Sequence, residues 1–143
     1  MPLITKEYKF CAAHKYWNPD WSKQENFDVF GNDIKNHGHN YVLRVSIKGA
    51  INPSSGFLVD LQWLNKLVEN EVLKKLDHSQ IDEDILWFKN RLPSTENLVV
   101  FIWEILDPYF KDIDASLFKI YLRETPTIFT EYYGPELNGE EVS

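Results

Sequence analysis

The sequence predicts an α+β domain: a four-stranded antiparallel sheet with two helices on one face, in the order β-β-α-α-β-β. Three patterns predict it. Residues 3–14 and 40–48 alternate apolar and polar side chains, as half-buried strands do. Residues 61–76 and 98–109 repeat apolar side chains three and four apart, the helical spacing. Two more alternating stretches, 117–124 and 128–133, supply the remaining strands.

In the first strand Ile4, Tyr8, Phe10, Ala12 and His14 share one face, with Thr5, Glu7, Lys9 and Cys11 on the other. From Lys15 to Asn36 the pattern breaks into a long connection rich in turn residues but studded with aromatics. An ordered loop of that length in so small a domain is usually functional. Tyr41, Leu43, Val45 and Ile47 face one side of the second strand, and the turn GAINPSSG follows. Asp60 caps a helix whose apolar residues are Leu61, Leu64, Leu67, Val68, Val72 and Leu76. The second helix opens at PSTEN, with Ser94 or Thr95 as cap and Glu96 in the first turn, where a carboxylate suits the helix dipole. Its stripe runs Leu98, Phe101, Ile102, Ile105 and Tyr109, and Pro108 ends it. Residues 1–134 read as one domain and 135–143 as a polar, acidic, flexible tail. Two helices cover one face of the sheet, and no element is left for the other. That face or the strand edges must meet another copy.

Composition excludes several classes. The chain has 143 residues, 43% hydrophobic, with a single cysteine, so it forms no internal disulfide and no cysteine-only zinc module. Fifteen Lys and Arg against 22 Asp and Glu leave a net charge of −7, the wrong sign for a nucleic-acid backbone binder. No apolar run nears a membrane span. The start, MPLITKEYKF, lacks a basic segment followed by an apolar core, so no secretory leader and a cytoplasmic location are expected.

Of four histidines, His37 and His39 flank a glycine just before the second strand. Residues two apart on an extended chain project to one side, so both imidazoles can reach one metal ion. His14 ends the first strand, and pairing of the two strands can bring it beside them. Three histidines with an open fourth position is the pattern of catalytic zinc. Strand histidines with purely hydrogen-bonding roles fit the same short motif. Asp77-His78 follows the first helix; a carboxylate beside an imidazole suits acid-base work, and equally a helix end with a surface histidine. Glu124 closes a strand in YLRET, where a paired or solvated acid is the plain alternative.

The segments FCAAH, HGHNY, GFLVDLQWL, LDH, PSTENLVVFIW and YLRET occur together in this order. In that combination the chain resembles the 6-pyruvoyltetrahydropterin synthase family, which includes the bacterial 6-carboxytetrahydropterin synthases of queuosine synthesis. The resemblance spans residues 8 to about 134. The loop segment WSKQENFDVFG is also similar to the eukaryotic pyruvoyl-type enzymes. The resemblance implies the tunnelling fold, in which three subunits close their sheets into a barrel and two trimers stack as a homohexamer. It implies a zinc ion on His14, His37 and His39, a catalytic pair Asp77-His78, and a pterin ring held by Glu124. Thr95 and Glu96 match the family's helix-start positions near the same pocket. The implied substrate is 7,8-dihydroneopterin triphosphate, with Lys15, Lys35 and Arg44 as candidate partners for its phosphates.

One position departs from the pattern. The family carries a cysteine before its HGH motif, and here that position is Asp33. A carboxylate is a far weaker base than a thiolate, with reference pKa values of about 3.9 and 8.5. Three roles stay open for Asp33. It can act as base; a subgroup with glutamate at this position cleaves the side chain to give 6-hydroxymethyl-dihydropterin for folate synthesis. It can close the zinc site as a fourth ligand. It can be inert, in a non-catalytic paralogue that binds zinc and pterin. The single cysteine, Cys11, falls on the strand face opposite His14 and reads as small buried packing.

Overall fold

The computed structural model describes residues 1–136. The acidic tail therefore lies, from residue 137 on, outside the described residues. β1 (Leu3–His14) pairs antiparallel with β2 (His37–Gly49), which is longer than the predicted 40–48 and carries both of its histidines inside the ladder. β4 (Ala115–Thr125) adds antiparallel to β2, and β5 (Ile128–Tyr132) to β4. A fifth strand, β3 (Ser79–Gln80), lies parallel to Ala12 and Ala13 of β1, so the sheet is mixed, in the order β3-β1-β2-β4-β5. Two residues carry no alternation to detect, which is why four strands were expected.

The connection 15–36 is not all loop. It holds α1 (Lys23–Phe30), capped by Ser22, whose side chain accepts from the Glu25 N–H while the Glu25 carboxylate accepts from the Ser22 N–H. The one buried residue of α1 is Asn26, whose amide spends its donors on the Asn18 and Ser22 carbonyls and whose oxygen accepts from the Asn18 N–H. Trp21 and Tyr16 both stack on Phe30, which binds the segment to itself.

α2 (Leu61–Val68) starts at Asp60, whose carboxylate accepts from the Gln62 and Trp63 N–H groups as expected. It continues through a wide turn at Glu69–Leu73 to Leu76. α3 (Thr95–Leu106) is capped by Ser94. Both helices lay their apolar stripes on one sheet face, around Tyr41, Leu43, Val45, Ile47, Ile120 and Leu122, none of which is exposed at all. Among the described residues no helix is long and apolar enough to cross a membrane.

Two irregularities of β4 position the site. Ser46 pairs with Lys119 and Ile47 with Leu117, so Phe118 is an extra residue. Beyond it the core-facing positions change from Ala115 and Leu117 to Ile120 and Leu122. Arg123 pairs with Phe129 and Thr125 with Ile128, so Glu124 is itself the extra residue of a second bulge.

Candidate active site

The β1–β2 register sets His14 opposite His37 and Ala12 opposite His39. All three imidazoles gather at one end of the sheet, with ring centroids 4.5, 5.0 and 5.1 Å apart. One ring nitrogen from each lies within 4.8 Å of the others. Backbone carbonyls orient two of the rings: His14 Nδ1 donates to Pro93 O at 2.7 Å and His37 Nδ1 to Lys35 O at 2.8 Å. This leaves the Nε2 lone pairs pointing inward. His14 is fully buried, and its Nε2 and that of His39 are buried without a hydrogen-bond partner. Orphaned lone pairs of this kind cost free energy unless a donor or a metal ion meets them. Burial is the main cause that lowers the pKa of His39, helped by the neighbouring His14 and His37 and opposed by Glu124. A neutral imidazole is the form that binds a metal. The donor set fits a divalent cation such as zinc.

The bulge aims Glu124 into this cluster, with Oε1 at 3.3 Å from His14 Nε2 and 3.2 Å from His39 Nε2. The His14 contact is the largest cause holding its carboxyl below the usual range, with burial opposing and the charges of His39, His14 and His37 assisting. Glu124 is therefore an anion here. Asp33 stands at the rim, mostly exposed, its Oδ1 3.9 Å from His37 Nε2. Two donors on one tetrahedral zinc, each about 2.0–2.2 Å from it, lie roughly 3.3–3.6 Å apart. Asp33 is beyond that spacing. Thr95 is buried; it donates to Glu96 Oε1 at 2.9 Å and accepts from Thr130 at 3.1 Å, so the helix start is tied to β5.

Tyr16 was not singled out from the sequence. Its ring lies 5.0 Å from that of His14, and its backbone N–H donates to Asp33 O. Burial first, then the carboxylates of Glu124, Glu96 and Asp33, push its hydroxyl pKa up, so these acids surround one phenol. Alternation from His14 puts Tyr16 on the same face, and that was the available signal.

Asp77 and His78 do not join the histidine cluster within one chain. They meet Cys11 instead, on the opposite face of β1. Asp77 Oδ2 is 3.1 Å from His78 Nδ1, and Cys11 Sγ is 3.7 Å from His78 Nε2 and 3.7 Å from Asp77 Oδ1. Cys11 is half-buried, and its expected role as inert core packing is corrected: it points away from the core and is held by Asp77, which accepts its N–H at 3.0 Å. That hydrogen bond is the main cause lowering the Asp77 pKa. Of the proposed phosphate partners, Lys15 pairs with Glu83 and Arg44 with Glu7.

Residues 3–135 match the family model described as 6-pyruvoyl tetrahydropterin synthase. The chain is 34% identical over 140 residues to a Drosophila melanogaster protein named 6-pyruvoyl tetrahydrobiopterin synthase, covering 96% of this chain and 83% of that one. It is 30% identical over 100 residues to the Bacillus subtilis 6-carboxy-5,6,7,8-tetrahydropterin synthase, covering 67% of this chain and 66% of the other. The solved Caenorhabditis elegans 6-pyruvoyl tetrahydropterin synthase superposes with a TM-score of 0.84 at 34% identity, over 94% of this chain and 98% of that one.

Proposed function

This chain belongs to the 6-pyruvoyl tetrahydropterin synthase family, and on that premise we propose that it is a zinc-dependent lyase acting on 7,8-dihydroneopterin triphosphate. The observation that carries the reading is the cluster of three imidazoles, two of them with buried, unpartnered Nε2 atoms, beside an ionised, half-buried carboxylate. In this reading residues 1–134 form one catalytic domain, and His14, His37 and His39 hold the metal. Zinc so held supplies Lewis-acid polarisation of the hydroxyl or carbonyl next to the pterin ring.

The chain's own residues do the rest. Glu124, an anion, accepts two parallel hydrogen bonds from the ring's N–H groups, as a carboxylate can. Thr95 and Glu96, locked to each other and to Thr130, line the same end of the sheet. Asp33, at the rim, takes a proton from the substrate side chain, because its 3.9 Å separation from His37 favours a base over a fourth ligand. The Asp77-His78 pair lies apart from the histidines in one chain, so it reaches substrate where two chains meet. A cytoplasmic homohexamer is the assembly that accords with this reading, and the half-exposed Ile128 and Phe129 of edge strand β5 support such a contact.

The zinc-loaded protein is expected to convert dihydroneopterin triphosphate, with chromatography and mass spectrometry separating a pyruvoyl- or carboxy-type pterin from 6-hydroxymethyl-dihydropterin. Tight pterin binding without any turnover defeats the enzyme reading and leaves the zinc- and pterin-binding paralogue. Glu124→Gln is expected to keep one zinc per chain while weakening pterin binding about 10- to 100-fold, since one charge-assisted pair of hydrogen bonds is lost. Loss of zinc in that variant would instead make Glu124 a metal ligand.

A further inference from the structure

A thiol, an imidazole and a carboxylate converge on one point of the face opposite the histidine cluster. Cys11 Sγ is 3.7 Å from His78 Nε2 and 3.7 Å from Asp77 Oδ1, and all three donors lie within 4.8 Å of one another. A zinc ion about 2.3 Å from sulfur and about 2.0–2.2 Å from nitrogen or oxygen, in tetrahedral array, sets its sulfur roughly 3.6 Å from each of the other donors. The observed separations are ligand edges of that size. They are also sulfur hydrogen-bond lengths, so the thiol is held beside both groups without a metal, and a thiolate–metal bond could replace these contacts with little rearrangement.

The backbone holds the three in place before any ion arrives. His78 N–H donates to the Cys11 carbonyl at 2.6 Å, Asp77 Oδ1 accepts the Cys11 N–H, and Ser79 pairs with Ala12. His78 adopts φ +63°, a left-handed conformation that costs a histidine free energy and that this clasp maintains. Asp77 Oδ2 lies on His78 Nδ1, the outer carboxylate contact that aims a ligating Nε2. The cluster opens into a cleft of about 340 Å³ whose lining includes Cys11, Gly38, His39, Asn40, His78 and Ser79, leaving room for a water or a further donor.

We propose that Cys11, Asp77 and His78 form a second metal site, separate from the histidine cluster, that takes a borderline divalent cation such as Zn2+ through sulfur, nitrogen and oxygen. On binding, the S–H bond breaks, its proton leaves to solvent, and sulfur bonds to the metal as thiolate. Neither oxidant nor reductant takes part. The inference goes beyond the proposed reaction and does not depend on it, because the histidine cluster can fail while this site stands. If both hold, metal and proton compete for His78 Nε2, and metal beyond one equivalent per chain inhibits turnover.

Cobalt(II) reads the two sites separately. Titrating the metal-stripped full-length protein is expected to bring two equivalents per chain, with a near-ultraviolet thiolate-to-cobalt band tracking one of them. Because Cys11 is the only cysteine, that band reports this site alone. His37→Ala is expected to keep the band while losing the other equivalent, and Cys11→Ser the reverse, which also shows that the variant is folded. His78→Gln and Asp77→Asn should each weaken the banded equivalent at least about 10-fold. Absence of a thiolate band at saturating cobalt overturns the proposal. So does a band whose affinity is unchanged in both His78→Gln and Asp77→Asn, since the thiol would then bind without its neighbours.

Discussion

Alanine at position 37 is expected to reduce the zinc retained by the histidine cluster from one per chain to background, and turnover with it. Losing a partner that merely orients a ligand weakens metal binding 10- to 100-fold, so losing the ligand itself should cost at least about 100-fold. His37 is the cleanest of the three to remove. Its side chain keeps 27% exposure, whereas His14 has none and its loss would open a cavity in the core. The fold of His37→Ala should therefore survive, which circular dichroism can check alongside metal analysis at pH 7 of protein stripped of the Cys11 equivalent. Full zinc retention would remove the assignment. pH gives an independent reading. Burial, first among the causes, holds His39 below the ordinary imidazole range, so it stays neutral to lower pH than a free imidazole. The metal should be retained near neutral pH and released as acid protonates the imidazole ligands.

The second large effect belongs to Asp33→Asn. The amide keeps the shape and removes the proton-accepting charge, so turnover is expected to fall about 10²- to 10⁴-fold, the usual worth of a positioned acid-base group. Zinc content and pterin affinity should stay within about twofold, because Asp33 sits at the rim beyond ligand spacing and the ring is proposed to rest on Glu124 instead. Loss of zinc would make Asp33 the closing ligand, and unimpaired turnover would make it inert. Either result discards the role as base. Kinetics with metal analysis on the same sample distinguish all three.

Much of this was legible in the sequence, for a physical reason. β1, β2 and the two long helices each bury one side only, so their periodicity is written in residue types, and Tyr41, Leu43, Val45 and Ile47 fall on the core face as read. The same alternation put His37 and His39 on one side, and their common face with His14 needed only strand pairing. What escaped lacks such a period. α1 buries only Asn26, so its signal was the Ser22–Glu25 capping box rather than an apolar stripe. The two-residue β3 has no pattern at all. Cys11 was assigned to the correct face, yet its contacts with Asp77 and His78 span 66 and 67 residues and depend on how the chain leaves α2. The approach of Glu124 to the histidines depends on bulges, which come from pairing between strands and leave no mark within one.

Those bulges make the chemistry of β4 a matter of counting as well as of residue kind. Phe118 is one residue too many for its partner strand, and every side chain beyond it owes its direction to that surplus. Deleting it would rotate Ile120, Leu122 and Glu124 out of the core in a single step, while exchanging it for another side chain would leave their direction intact. β4 is thus a strand that can drift in composition but not in length. Among descendants of this chain, insertions and deletions between Ala115 and Thr125 would be purged far more strictly than substitutions at its solvent-facing positions.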